Sequence, residues 1–179
     1  MMEGGACVRL SGAFLVVVAA LAGCTAAPAK GRLSVELDFS EFPAVHTCDG
    51  ADVSPELRIG GAEGAEALAI IMDDPDAPGG TFTHWVVWNL APGDVPANLP
   101  KQGMVEAPVR AVQGLNDFGR VGYAGPCPPP GKPHRYFFRV YALDTLLELE
   151  PGASREELES AMKGHVLAYG EAVATYGRV

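Results

Sequence analysis

The chain has 179 residues, 48% of them hydrophobic, and a formal net charge of −9. Such an excess of carboxylates is repelled by nucleic-acid phosphates at long range, which excludes nonspecific DNA or RNA binding, and no nucleic-acid motif occurs. The apolar fraction is enough for a folded core.

The first segment in chain order is a leader. Arg9 precedes a run of apolar and small residues from Ala13 to Gly23, which is short for a bilayer span and has the form of a signal peptide. The run ends in Leu21-Ala22-Gly23-Cys24, the small-residue pattern cut by bacterial lipoprotein signal peptidases. Cys24 is therefore expected to be the lipidated, palmitate-bearing first residue of an exported protein anchored in the cell envelope. Ordinary secretion and a retained anchor helix are the competing readings. Thr25, in place of an Asp, favours sorting to an outer membrane where the cell has one. Cleavage before Cys24 leaves 179 − 23 = 156 residues, a one-domain length. Glu3 and Arg9 leave together, so the charge of −9 stays with the mature chain.

Of the four cysteines, Cys7 departs with the leader and Cys24 carries lipid, leaving Cys48 and Cys127. In an oxidising compartment such a pair forms a disulfide or stays as two buried thiols, and the disulfide is expected. Residues 24–32, rich in Ala with Pro28 and Gly31, suit a flexible tether. The folded domain is expected over 33–179.

Leu33, Val35, Leu37 and Phe39 alternate with Ser34, Glu36 and Asp38, the period of a half-buried strand. Apolar runs over Leu68–Met72, Phe82–Leu90 and Tyr136–Leu143 predict three more strands, and Ala172–Tyr176 a closing one. Ser154 and Glu157 form a capping-box pattern ahead of Leu158, Met162, His165 and Val166, which recur at helical spacing. The expected architecture is mainly β, an antiparallel sheet domain with one or two C-terminal helices.

Three segments carry chemistry. Asp74-Pro75-Asp76-Ala77-Pro78 follows an apolar strand directly, and period two puts Asp74 on the face of Leu68, Ile70 and Met72. From this segment alone, Asp74 is a turn-former or part of a lined pocket. In the run from Phe82, alternation groups His84 with Phe82, Val86, Trp88 and Leu90; in the run from His134, that histidine shares a face with Tyr136, Phe138 and Val140. Singly, each histidine reads as a satisfied core or edge residue. The combination of both with Asp74 and the loop Gly125-Pro126-Cys127-Pro128-Pro129-Pro130-Gly131 points to a site.

Together, Asp-Pro-Asp-Ala-Pro from Asp74, His-Trp-Val-Val-Trp-Asn from His84, and Gly-Pro-Cys-Pro-Pro-Pro-Gly-Lys-Pro-His-Arg-Tyr from Gly125 resemble the phosphatidylethanolamine-binding protein family, in its bacterial Raf-kinase-inhibitor-like branch. The similarity runs from about Ser34 to Arg178 and takes in Thr47-Cys48-Asp49-Gly50 and the segment Gln113–Gly119. It implies a large central antiparallel sheet, a smaller sheet, and an anion pocket lined by Asp74, Asp76, His84, Pro129, His134 and Tyr136, with Gly125 and Pro126 in its rim. The loop between Gly131 and His134 is shorter than in the eukaryotic pattern.

The implied function is binding of small anionic ligands, namely phosphate esters, phospholipid headgroups or carboxylates, with no cofactor and no catalytic residue. Two further readings compete: inhibition of a serine protease or another envelope partner, and hydrolysis by the His/Asp pocket. Against hydrolysis, no Gly-x-Ser-x-Gly, His-Glu-x-x-His or Cys-x-x-Cys occurs, and the two histidines stand 50 positions apart without metal-ligand spacing.

Overall fold

The computed structural model describes residues 31–179, so the leader, Cys24 and most of the tether lie outside the described residues. Four long strands, β4 (Ala67–Asp74), β5 (Phe82–Leu90), β8 (His134–Leu143) and β9 (Val166–Tyr176), build the body of a seven-stranded sheet. Shorter strands β1 (Gly31–Arg32), β6 (Met104–Val105) and β7 (Ala111–Gln113) complete it in the order β1-β9-β8-β4-β5-β7-β6. A separate pair, β2 (Ser34–Glu36) and β3 (Arg58–Gly60), forms the small sheet.

Strand β4 is central because its continuous apolar run can be covered on both faces, and all eight of its residues are buried. On one face Leu68, Ile70 and Met72 pack with Trp85, Val87, Tyr136, Phe138 and Val140, and Phe42, Leu57 and Ile59 cover them. On the other, Ala69 and Ile71 pack with Val86, Trp88 and Leu143 against Leu158 and Met162. Each large side chain so buried contributes roughly 1.5–3 kcal/mol.

Leu158 sits on the one α-helix among the described residues, α1 (Arg155–Ala161), which starts as predicted. The Ser154 hydroxyl accepts from Glu157 N–H at 3.2 Å, and the Glu157 carboxylate accepts from Ser154 N–H at 2.7 Å. Seven residues do not hold a helix alone. The buried Leu158 and an ion pair from Arg155 to Asp73 at 3.0 Å fasten it to the sheet, and Asp73 also accepts from Arg139 Nε at 2.9 Å.

Three boundaries differ from the sequence expectation. The helix was expected to include His165 and Val166, but Gly164 takes a left-handed φ of 87° and Val166 opens β9, where pairing with β8 supplies the backbone partners. Gly31 and Arg32, assigned to the tether, pair in parallel with Ala168 and Tyr169, which makes the sheet mixed instead of wholly antiparallel. Of the alternating stretch 33–39, only Ser34–Glu36 forms a strand, although Leu33, Leu37 and Phe39 still pack on the first core.

A fourth difference sets up the site. The β4–β5 register passes from Met72↔Trp85 to Asp73↔Thr83, one step on β4 against two on β5, so His84 is an extra residue in the ladder. Such a bulge re-aims a side chain across the sheet. A second shift, between Leu68↔Leu90 and Ile70↔Val87, coincides with Asn89 at a φ of 57°. The expected face of Phe82, His84, Val86, Trp88 and Leu90 is therefore split: Val86 and Trp88 face the α1 side, while Leu90 belongs to the opposite core.

Candidate functional site

At the end of the sheet where β4 stops and β8 begins, a cavity of about 140 Å³ is lined by Asp74, Phe82, His84, His134 and Tyr136, with Ala77, Pro78, Phe118, Cys127, Pro128 and Pro129 as walls. Its size suits a headgroup-scale ligand, being below the roughly 300–1,000 Å³ of pockets that enclose a drug-sized molecule. Neither Lys nor Arg is among its lining residues.

Asp74 serves both of its sequence readings. Its Oδ1 accepts the Asp76 N–H at 2.8 Å and makes the turn after β4, while its Oδ2 accepts from His134 Nδ1 at 2.7 Å. Two donors on the carboxylate compensate a charge that is 3% exposed, which a buried carboxylate requires. The pairing also fixes the His134 ring and leaves Nε2 free for a ligand.

His84, also 3% exposed, is held differently: its Nδ1 lies 2.7 Å from the Ala124 carbonyl oxygen. A carbonyl only accepts, so Nδ1 carries the proton and the neutral ring keeps its lone pair on Nε2. Burial pushes this histidine below its ordinary 6.5, against the opposing pull of the Ala124 carbonyl and the more distant Asp74. Around it the aromatic rings of Phe82, Phe118 and Tyr136 stand at centroid distances of 5.1, 5.7 and 5.2 Å.

The Tyr136 hydroxyl is buried with no partner at hydrogen-bonding distance, although the Asp74 carboxylate lies close enough to act on it. Burial first, then the neighbouring Asp74, raise its pKa far above the usual tyrosine range, so it stays a donor at any physiological pH.

Of the residues that the family resemblance implied, Asp74, His84, Pro129, His134 and Tyr136 line the cavity. Asp76 does not: its carboxylate takes the Arg135 side chain bidentately, Nε at 2.8 Å and Nη2 at 2.8 Å, plus the Arg135 N–H at 3.0 Å. These bonds hold the carboxyl well below the usual carboxylate range and fasten the start of β8 beside His134. Gly125 and Pro126 stand behind the wall, where Gly125 N–H donates to Asp52 at 2.6 Å and the Pro126 carbonyl accepts from Cys48 N–H at 3.1 Å. The cysteines behave as expected, with Cys48 and Cys127 joined in a disulfide. Phe118 was missed as a wall residue, although an aromatic flanked by Asp117 and Gly119 in a loop was visible.

A larger groove of about 530 Å³ runs beside β6 at the far edge of the sheet, lined mainly by Leu90, Val105, Val109, Val112 and Leu146. Its charged pair, Glu106 and Arg110, is solvent-exposed, so the groove lacks the convergent buried polar groups of the smaller cavity. Among the described residues no group of three or more His, Cys, Asp or Glu is placed to hold a metal ion.

The chain and its fold have counterparts among known proteins. A UPF0098 protein of Pyrococcus abyssi is 54% identical over 162 residues, covering 87% of this chain and 91% of that protein. One from Pyrococcus horikoshii is 58% identical over 151 residues, covering 82% and 76%. Among solved structures, a phosphatidylethanolamine-binding protein homolog from Chlamydia trachomatis superposes with a TM-score of 0.73 at 35% identity, over 83% of this chain and 99% of that one. Escherichia coli YbcL, described as a member of the mammalian family, gives 0.73 at 30% identity over 84% and 100%. The family model for phosphatidylethanolamine-binding proteins matches residues 34–177, which takes in the small sheet, the large sheet apart from β1, and every residue of the cavity, and the chain belongs to that family.

Proposed function

We propose that this chain is an exported lipoprotein whose domain binds small anionic ligands in the Asp74–His134 cavity, and that it is a binding protein without catalytic turnover. The observation that carries the reading is the Tyr136 hydroxyl, buried in the cavity wall with no partner. A buried polar group left unpaired costs about 1–3 kcal/mol, and a ligand oxygen would relieve it.

The neighbouring groups complete a recognition set. Protonated, His134 is paired with Asp74 and has its Nε2–H to offer to an anionic oxygen. Neutral His84 offers the Nε2 lone pair, which suits the P–O–H of a singly protonated phosphate ester. Phosphate monoesters, phospholipid headgroups and small carboxylates share this chemistry. Leu21-Ala22-Gly23-Cys24 supports export and lipid anchoring, and the Cys48–Cys127 disulfide fits an oxidising, periplasm-facing location.

Titration calorimetry with phosphoethanolamine, inorganic phosphate and acetate is the test. Binding that is weakened in Tyr136→Phe supports the reading; absence of heat with all three in the wild-type protein refutes it. Release of phosphate or alcohol from generic phosphoesters would refute the non-catalytic part.

A further inference from the structure

The two pocket histidines are supported differently. His134 has its carboxylate in direct contact, whereas His84 rests on a main-chain carbonyl. That carbonyl belongs to the Ala124–Gly125 peptide unit, which is trans, so its C=O and the Gly125 N–H lie in one plane and point in opposite directions. At the opposite edge of that unit from His84, Asp52 Oδ1 accepts the Gly125 N–H at 2.6 Å. One peptide unit therefore stands between a carboxylate and an imidazole, gripped at 2.6 Å on one side and 2.7 Å on the other. Hydrogen bonds in such a chain polarise one another.

The surroundings hold Asp52 to this task. Its Oδ2 pairs with Lys101 and leaves Oδ1 to Gly125. Its φ of 55° is left-handed, an uncommon conformation for a residue with a Cβ, of the kind that persists where the surroundings over-determine it. Gly125 has no room for a side chain, since a Cβ there would overlap the His46 carbonyl. The loop that carries Asp52 is clamped onto the same segment from both sides, by Tyr123 Oη donating to the His46 carbonyl at 2.7 Å and by the Cys48–Cys127 disulfide.

We propose that Asp52 is a positioning residue for the pocket: by gripping Gly125 N–H it aims the Ala124 carbonyl, which holds His84 in its Nδ1–H tautomer with Nε2 free for the ligand. The proposal rests on the cavity being a ligand site. It assigns a remote carboxylate to His84 as the counterpart of Asp74 beside His134.

The test compares Asp52→Gly and Asp52→Asn in the full domain. Glycine removes the carboxylate yet accepts the left-handed backbone, so the variant keeps its fold; asparagine restores an acceptor and also tolerates that conformation. Long-range ¹H–¹⁵N spectra of labelled histidine, with His84 assigned by its loss in His84→Gln, read the tautomer. Calorimetry with phosphoethanolamine reads the affinity. The wild type shows the single Nδ1–H form. Asp52→Gly mixes the two tautomers and weakens binding about tenfold, the size of one modest hydrogen bond, and Asp52→Asn restores both. An unchanged His84 tautomer in Asp52→Gly overturns the proposal, and so does a shifted tautomer with wild-type affinity. If the wild type binds neither phosphoethanolamine nor inorganic phosphate, the ligand reading falls, while the tautomer comparison still decides whether Asp52 positions the ring.

Discussion

Asp74 and His134, 60 positions apart in sequence, meet at the edge of the cavity with Oδ2 and Nδ1 separated by 2.7 Å. The pair is possible because β4 and β8 are antiparallel neighbours whose ladder runs to Asp73↔Phe137, which brings the end of one strand to the start of the other. The turn N–H of Asp76 takes the remaining carboxylate oxygen. The imidazole is thus oriented before any ligand arrives, and binding need not pay for ordering it.

This preorganisation predicts the effect of removing either ring. His134→Ala and His84→Ala should each weaken phosphoethanolamine binding by about 1.5–3 kcal/mol, the range for a hydrogen bond to a charged group. Their backbone amide spectra should remain those of a folded domain. Unchanged affinity in both, measured by calorimetry, would make the histidines structural.

Tyr136→Phe separates binding from stability more sharply. The hydroxyl is buried and unpartnered without ligand, so its loss should leave thermal stability unchanged or slightly higher. Ligand affinity should nevertheless fall by about 1 kcal/mol or more. Scanning calorimetry with and without phosphoethanolamine makes the comparison, and equal affinity in the two proteins would count against Tyr136 as a ligand donor.

His84 gives the protein a pH signature. Its folded pKa lies below the ordinary 6.5, so the unfolded chain binds the proton more readily. The contribution to stability is then present above 6.5 and declines as pH falls through that value toward the lower folded pKa. Because neutral His84 accepts the P–O–H of a singly protonated ester, phosphate binding near neutral pH, where the free ester is mostly doubly ionised, should take up a proton. Affinity should then rise as pH falls toward the ester's second ionisation. Titrations in two buffers of different ionisation enthalpy read the uptake, and His84→Gln should reduce it.

The disulfide closes a loop with a sequence separation of 79, for which chain entropy suggests about 4 kcal/mol of stabilisation. Cys127 also lines the cavity, so reduction should loosen the wall of Pro128 and Pro129 and weaken phosphoethanolamine binding. Denaturant melts and calorimetry under oxidising and reducing conditions test both effects. Two titratable thiols in unreduced protein exported by its host would show that the bond does not form.

Cys24→Ser should abolish membrane association and leave the domain folded, because the family domain matched in the sequence begins at residue 34. Fractionation shows the first and amide spectra the second. An intact mass with an unmodified Cys24 in the mature protein would refute lipidation.

Much of this molecule is legible in its sequence. The short apolar runs within β4, β5 and β8, punctuated by Pro and Gly, read as strands, and Ser154 with Glu157 marks the helix start because both capping bonds are local. The motifs around Asp74, His84 and His134 led to the family and to the chemical groups of the cavity. The tertiary structure alone decided how those groups are aimed. A register shift of one residue turns His84 away from the face that simple alternation gives it, and alternation cannot report a shift that arises from pairing with another strand. Asp76 and Asp74 look alike in sequence, yet Asp76 is claimed by Arg135 and Asp74 by His134, because partner choice depends on which side chains β8 brings within reach. Asp52 carries no local pattern at all. Its place behind His84 follows only from the packing of two loops more than 70 positions apart, since the forces that fix a polar contact act between residues the chain order does not relate.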